Sequence, residues 1–511
     1  MNDPQRQQVR DAARYLREVR PLDPAELADY VAEPPHPAAV RQVLREEATD
    51  LGLLERQDGT FEPVGEGPLS VAFDGVDALP DSIADAIAAL LVERFGPDWP
   101  DGESGAALRG TIRDFKRRYL GGATVTYDEV TALGYAVYHL PQSFAAVQYL
   151  LADLAADDRL PANLRVLDVG AGVGGPALGI DSFVGENVLV DYHAVEPSAA
   201  ASVLDRLLGE TGRNFHPTVH RDPIESVALE GEFDLLVCAN VLSELDDPSG
   251  TLADLLDYLA PDGTVLALAP ADRNTATHLR TVERTLERER GVTIYAPTVR
   301  LWPHETPESE SWSFDRKVDI AVPTLQRRLD RGERAPSEPA GEDGGEDGSE
   351  AATARAADSA AVGSDTSTSD EANRVRLPGD GEFVNVDVQY TSSLLRTDGA
   401  TAIDYRPRTG SVAKLAESER HVTERIDCVG VKLSHDLAET GNPLFLVGDG
   451  SQHVDHFAVL TDPSTLNRDL ETADYGAVLR FENVLVLWND DEGAYNLVVD
   501  GETVVDRVAG R

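Results

Sequence analysis

The residues best suited to chemistry lie in RVLDVGAGVGG, 165–175, where an apolar run ends in Asp168 and Gly170, Gly172 and Gly174 follow at alternate positions. Gly174 and Gly175 then lead into a helical stretch. Glycines let a backbone turn tightly and approach a ligand closely, and a helix start adds free N–H groups and a positive dipole end. Gly170, Gly172 and Gly175 also satisfy GxGxxG, a weak match to a dinucleotide site when taken alone. The Asp168 carboxylate inside the turn points the other way. It repels a pyrophosphate and pairs with an ammonium, as in the methionine part of S-adenosylmethionine. Three more residues follow successive strand-like runs: Glu196 in YHAVEPS, Asp222 in VHRDPIE and Asn240 in CANVLSEL. Glu196 is placed to accept from the ribose hydroxyls, Asp222 to meet the adenine amino group, and Asn240 to close the fourth strand beside the cofactor. Open α/β sheets bind ligands at these carboxyl ends of strands. The plain alternatives are a helix cap for Asp222 and a turn residue for Asn240.

Such a constellation needs a parallel sheet beneath it. The runs RVLDVG, NVLVDYHAVE, FDLLVCAN and TVLALAP alternate with helical stretches over 161–333, as strands covered on both faces do. The expected fold is α/β, a Rossmann-like parallel sheet, with a region on either side. Residues 1–75 read as helix, helix, helix and hairpin, with Asp58-Gly59 as the turn. That is the order of a winged helix, or of a small helical scaffold that only packs. Residues 76–160 read as helical, and IRDFKRRYL gathers Arg113, Lys116, Arg117 and Arg118, the densest positive cluster in the chain. Such a run is either a solvated helix face or, in a chain this acidic, a phosphate and RNA contact. Residues 334–375 hold no large apolar residue except Val362 and the terminal Val375, and read as an acidic disordered linker. Residues 376–511 contain short β-type runs between Gly-rich turns, suggesting a small OB-like barrel. Phe457, Trp488 and Tyr495 there are core residues, or base-stacking platforms if exposed.

Composition narrows the setting. Lys+Arg total 45 against Asp+Glu 91, a formal net charge of −46, and the only lysines are Lys116, Lys317, Lys414 and Lys432. This looks like a protein of a salt-saturated cytoplasm, where the Debye length is about 3 Å and net charge says little about partners. Two cysteines, Cys238 and Cys428, cannot form a disulfide framework or a Cys₄ metal site. No apolar run approaches a membrane span and the first residues show no signal pattern, so a cytoplasmic, reduced location is expected.

YAVYHLPQSFAAVQYLLADL leads into RVLDVGAGVGG, and FDLLVCANVLSELDD and TVLALAPADRNTATHLRTVERTL follow. In this order and wording the chain resembles the class I methyltransferase family of the mitochondrial-type small-ribosomal-subunit assembly factor. The resemblance covers roughly 125–330 and implies binding to the small subunit during assembly, with rRNA methylation a suspected activity. The family often carries cysteines that hold an iron–sulfur cluster. Here the matching stretch is YAPTVRLWPHETPESESWSF, with Thr298, Trp302 and Ser313 in place of thiols. Hydroxyls do not ligate such clusters, so none is expected, and His304 alone makes no metal site. The loop is expected to be held instead by Trp302, Trp312 and Phe314 packing on the sheet. Where the family often has Glu-Pro-Gly after the fifth strand, this chain has APAD, 269–272.

No Asn-Pro-Pro-Tyr motif for exocyclic amine methylation is present, and Cys238 reads as core rather than as a nucleophile. No catalytic base is identifiable. Three readings stand: an S-adenosylmethionine-dependent enzyme acting on small-subunit rRNA, a non-catalytic factor that binds pre-ribosomes, and a small-molecule methyltransferase. The flanking regions argue against the third.

Overall fold

The computed structural model describes residues 1–509 apart from 122–124, 310–311, 319, 334–380, 386, 409 and 439. The stretch expected to be a linker, 334–375, lies outside the described residues.

Near the N-terminus, α1 (Asp3–Leu16) starts at Asn2, whose side chain accepts from the Gln5 N–H while Gln5 accepts from the Asn2 N–H. Both orphan donors at the helix start are satisfied this way. Helices α2 (Pro24–Ala28) and α3 (Pro37–Glu46) follow, then a hairpin of Leu53–Glu55 with Phe61–Pro63. Val9, Ala13, Leu44 and Phe61 close a small core between them. On α3, Arg41 and Arg45 both pair with the buried carboxylate of Glu55, which sits on the hairpin. These arginines stay partly exposed but are tied to Glu55. Asn214 ties this region to the central sheet: its Oδ1 accepts from the Glu55 N–H at 2.8 Å and its Nδ2 donates to the Glu55 carbonyl at 3.2 Å.

Helices α4 (Asp81–Phe95), α5 (Gly102–Leu120), α6 (Glu129–Tyr138) and α7 (Leu140–Ala156) lead into the central sheet. Its main strands are β1 (Asn163–Val169), β2 (Leu189–Val195), β3 (Phe215–His220), β4 (Phe233–Ala239), β5 (Leu259–Pro270), β6 (Thr293–Ala296) and β7 (Val388–Arg396), and the short Asp315–Lys317 also pairs antiparallel with β7. The order is β3-β2-β1-β4-β5-β7-β6, parallel from β3 through β5, with β7 antiparallel to both its neighbours. Alternate residues of each strand face opposite ways. Val166, Val190, Leu235 and Leu266 pack under α6, α7 and α8 (Gly175–Val184) on one face. Leu167, Leu236, Cys238 and Val265 pack under α9 (Arg273–Arg290) on the other. Cys238 is thus a core residue, fully buried.

Strand β7 corrects the sequence reading, which put this stretch in the C-terminal β region. QYTSSLLR looks too polar for a central strand, yet Thr391, Ser392 and Ser393 are buried. The reason is on α9. Arg280 donates to Thr391 Oγ1 at 3.1 Å, and Glu283 accepts from Ser393 Oγ at 2.8 Å, so the hydroxyls are satisfied inside the core. The APAD stretch has a structural task as well: Asp272 caps α9, accepting from the Thr275 N–H at 3.1 Å.

The C-terminal region is a closed barrel of β8 (Arg425–Lys432), β9 (Leu444–Gly448), β10 (His456–Leu460), β11 (Val478–Asn489) and β12 (Ala494–Val499). The strands run β8-β9-β10-β12-β11 and close through β11 back to β8, with β10 and β12 parallel; β13 (Val504–Ala509) adds to β11. This is the OB-like barrel expected, and Cys428 is buried in its core. Its outer face over β8, β9 and β10 is covered. Val299, Leu301 and Trp302, from the segment after β6, pack on Val429, Val431 and Leu446, with Phe457 half-buried beside them. Trp302 Nε1 donates to Asp449 Oδ2 at 2.7 Å. Trp302 therefore anchors the barrel rather than the sheet, while Trp312 donates to the Ala271 carbonyl at the end of β5 and packs on Phe314. Strands two and three of an OB barrel form its usual oligonucleotide face. Here that face is an internal contact. Of the three aromatics, Trp488 alone is well exposed, at 40%, with Tyr495 edge-on against it.

Candidate active site

The loop between β1 and α8 is built as its glycines require. Gly170, Gly172 and Gly174 have φ of 68°, 56° and 92°, a region closed to most side chains. At Gly170 a Cβ would also come within 2.4 Å of Val241. The Gly170 and Ala171 N–H groups donate to the Val195 carbonyl, which draws the loop across the end of β2.

Asp168 lies behind this loop, wholly buried. The Tyr192 hydroxyl donates to its Oδ2, and Oδ1 has no hydrogen-bond partner among the described residues. Burial raises the carboxyl to about 7; the Tyr192 bond opposes this and the nearby Glu196 charge adds to it. Glu196, at the end of β2, accepts from the Gly172 N–H through Oε2 at 2.8 Å and from the Ser198 N–H through Oε1 at 2.9 Å. Asn240 ends β4 in the left-handed region, φ 61°, a conformation asparagine tolerates. Asp168, Glu196 and Asn240 converge. Asp222 is exposed in the loop beyond β3, two strands from β1. No side chain caps the short turn that begins at Ile224, so Asp222 is not a cap.

The sequence reading missed the aromatic wall facing this loop. Tyr119 on α5 donates to the Asn240 carbonyl at 2.9 Å and accepts from Ser243 Oγ at 3.1 Å. Tyr135 on α6 lies with its hydroxyl 3.5 Å from Asn240 Nδ2. Phe115 stacks on Tyr119 at 5.5 Å and meets Tyr127 and Tyr135 edge-on at 5.9 and 5.2 Å. Tyr127 donates to Glu244 Oε1 at 2.7 Å. The pairs Phe115/Tyr119 and Tyr135/His139 are four apart, so each shares a helix face, and that spacing was the available signal.

The basic cluster is compensated. Arg113 forms two hydrogen bonds to the Glu382 carboxylate, 2.8 and 2.6 Å, and lies over Phe383. Lys116 sits over the Tyr138 ring at 3.8 Å. Arg117 and Arg118 both pair with Asp114 on the same helix and remain largely exposed. Arg113 and Lys116 thus fasten α5 to the segment before β7, and the solvent-facing part of the cluster is Arg117 and Arg118.

The S-adenosylmethionine expected from the sequence fits these residues. A buried carboxylate oxygen without a partner, Asp168 Oδ1, sits under a loop of positive-φ glycines, and Gly172 has nothing nearer than 4.0 Å to a Cβ placed on it. Among the described residues no group of three His, Cys, Asp or Glu could hold a metal ion, and no helix is long and apolar enough to cross a membrane.

Residues 141–317 match the methyltransferase domain family. Residues 6–57 and 416–508 match the N-terminal and C-terminal domains of a second family, described as a domain of unknown function (DUF8157). A 108-residue stretch is 32% identical to the highly reducing polyketide synthase lcsB of Purpureocillium lilacinum, spanning 20% of this chain and 4% of that protein. Among solved structures, the plantazolicin methyltransferase BpumL with S-adenosylhomocysteine is 13% identical at a TM-score of 0.22, covering 40% of this chain and 64% of its own. The plantazolicin methyltransferase BamL is 14% identical at a TM-score of 0.25, covering 42% and 78%. TM-scores this low leave the fold to rest on the strand order and the family match. Together these make the central part of the chain a class I methyltransferase domain.

Proposed function

We propose that the chain binds S-adenosylmethionine at the β1–α8 loop and transfers its methyl group to rRNA of the small ribosomal subunit. The observation that carries the cofactor reading is the unpartnered, buried Asp168 Oδ1 beneath the glycine loop. In this reading Asp168 takes the cofactor ammonium, the loop N–H groups and Gly172 line its methionine part, and Glu196 turns from the Gly172 N–H to the ribose hydroxyls. Bound, the cofactor supplies a methyl group on a sulfonium, and the protein's share is positioning and a dry path. The ribosomal substrate rests on the LPQSFAAV and ANVLSEL stretches and their resemblance to the assembly-factor family. The exposed pair Arg117 and Arg118 is the phosphate contact offered for it.

One observation favours a second reading, a pre-ribosome binding factor in which the pocket is only structural. Both Glu196 oxygens already hold backbone N–H groups, as a closed loop would need. Methyl-labelled S-adenosylmethionine, incubated with the protein and small subunits from a strain lacking its gene, separates the two. Label in rRNA supports the enzyme; co-sedimentation without label supports the binding factor.

A further inference from the structure

From the Tyr127–Glu244 and Tyr135–Asn240 contacts beside the glycine loop, we infer that Glu244 is the catalytic residue on the acceptor side, receiving a proton from a neutral amine carried on a flat aromatic ring, a nucleobase exocyclic amine. This deepens the proposed function and rests on its cofactor reading.

Glu244 follows Asn240 by four residues, in the turn Leu242–Glu244 that leaves β4. Its Oε1 is held by the Tyr127 hydroxyl, while Oε2 has no hydrogen-bond partner among the described residues, and the side chain is open to solvent. Tyr127, Tyr135 and Asn240 around it are all half-buried, so these groups lie at the surface rather than in a sealed core. An orphaned polar atom, Asp168 Oδ1, lies toward the same carboxyl-end edge of the sheet, on the neighbouring parallel strand β1. The Tyr135 hydroxyl lies 3.5 Å from Asn240 Nδ2, and its phenol is pushed up by burial and by the Glu244 charge, with the Asn240 bond opposing.

The chemistry of the wall selects the acceptor. Aromatic side chains take flat rings by stacking. Carboxylates beside an alkyl amine would keep it as an ammonium, with no lone pair to attack; a nucleobase amine is neutral at neutral pH. In the step, the amine nitrogen forms the N–C bond with its lone pair as the C–S bond breaks and sulfur keeps that electron pair. The proton then acidified on nitrogen passes to Glu244 Oε2, and from there to solvent. The missing Asn-Pro-Pro-Tyr motif is replaced here by groups from three segments: Asn240 and Glu244 after β4, Tyr127 before α6, and Tyr135 on it.

The test uses the full chain. Calorimetry with S-adenosylhomocysteine should give affinities within about twofold for wild type, Glu244→Gln and Tyr127→Phe. No binding by the wild type overturns the cofactor reading and this inference together. With the site saturated, saturation-transfer NMR should show CMP or AMP contacting the protein and UMP, which lacks the amine, not doing so; Glu244→Gln should weaken that contact at least tenfold. Labelled methyl in small-subunit RNA should fall on an exocyclic nitrogen and drop about 100-fold in Glu244→Gln. Intact S-adenosylhomocysteine binding with no preference for amine-bearing nucleotides overturns the inference and leaves the cofactor reading standing. So does label on carbon or ribose oxygen, or label unchanged by the substitution.

Discussion

Asp168→Asn should raise the stability of the protein at pH 8 and weaken its hold on S-adenosylmethionine at the same time. Burial carries the Asp168 carboxyl from the ordinary 3.8 to about 7. At about 1.4 kcal/mol per pKa unit, keeping it ionised in the fold costs roughly 4 kcal/mol at pH 8 and roughly 1.5 kcal/mol at pH 5. The sign follows from which state holds the proton. The folded pKa is the higher, so between about 4 and about 7 the folded chain binds more protons, and stability falls as pH rises through that window. Asparagine does not titrate and can still accept from the Tyr192 hydroxyl. It adds a buried amide without an acceptor, costing about 1–3 kcal/mol at either pH. That common cost cancels in the comparison. Relative to wild type, the variant should gain roughly 2–3 kcal/mol between pH 5 and pH 8. For a domain of this size that is about 5–10 °C in melting temperature. Circular dichroism melts at the two pH values measure it, and calorimetry should show cofactor affinity down about 10- to 100-fold, the worth of one charge-assisted bond. Wild-type and variant melts that stay parallel across pH would refute the burial argument, and unchanged affinity would remove Asp168 from the site.

Trp302→Ala removes the bond to Asp449 and the packing on Val431 and Leu446. It should cost about 3–5 kcal/mol and loosen the barrel from the central domain, seen as faster limited trypsinolysis with the central domain's melt unchanged. Leu236→Ala, in the fully buried face under α9, should cost about 2–5 kcal/mol in denaturant unfolding; a loss below 1 kcal/mol would contradict that packing. Reversing Arg117 and Arg118 to Glu should weaken sedimentation with small subunits. Unchanged sedimentation would make them only a solvated face paired with Asp114.

The sequence by itself determined whatever depends on local pattern. Apolar runs at strand spacing fixed the parallel sheet, and a carboxylate followed by alternate glycines marked the ligand loop, because tight turning and close approach are demands on single residues. The OB-like barrel was legible too, from short strands between glycine turns. Tertiary structure decided what depends on partners far along the chain. QYTSSLLR became β7 because Arg280 and Glu283, more than a hundred residues earlier, satisfy its hydroxyls. Half of the basic cluster, Arg113 and Lys116, is tied down by Glu382 and the Tyr138 ring. Tyr119, Tyr127 and Tyr135 met Asn240 and Glu244 only because α5 and α6 fold over the end of β4. Hydrogen bonds and buried charges are settled by what lies across the fold, and spacing along one segment carries no record of it.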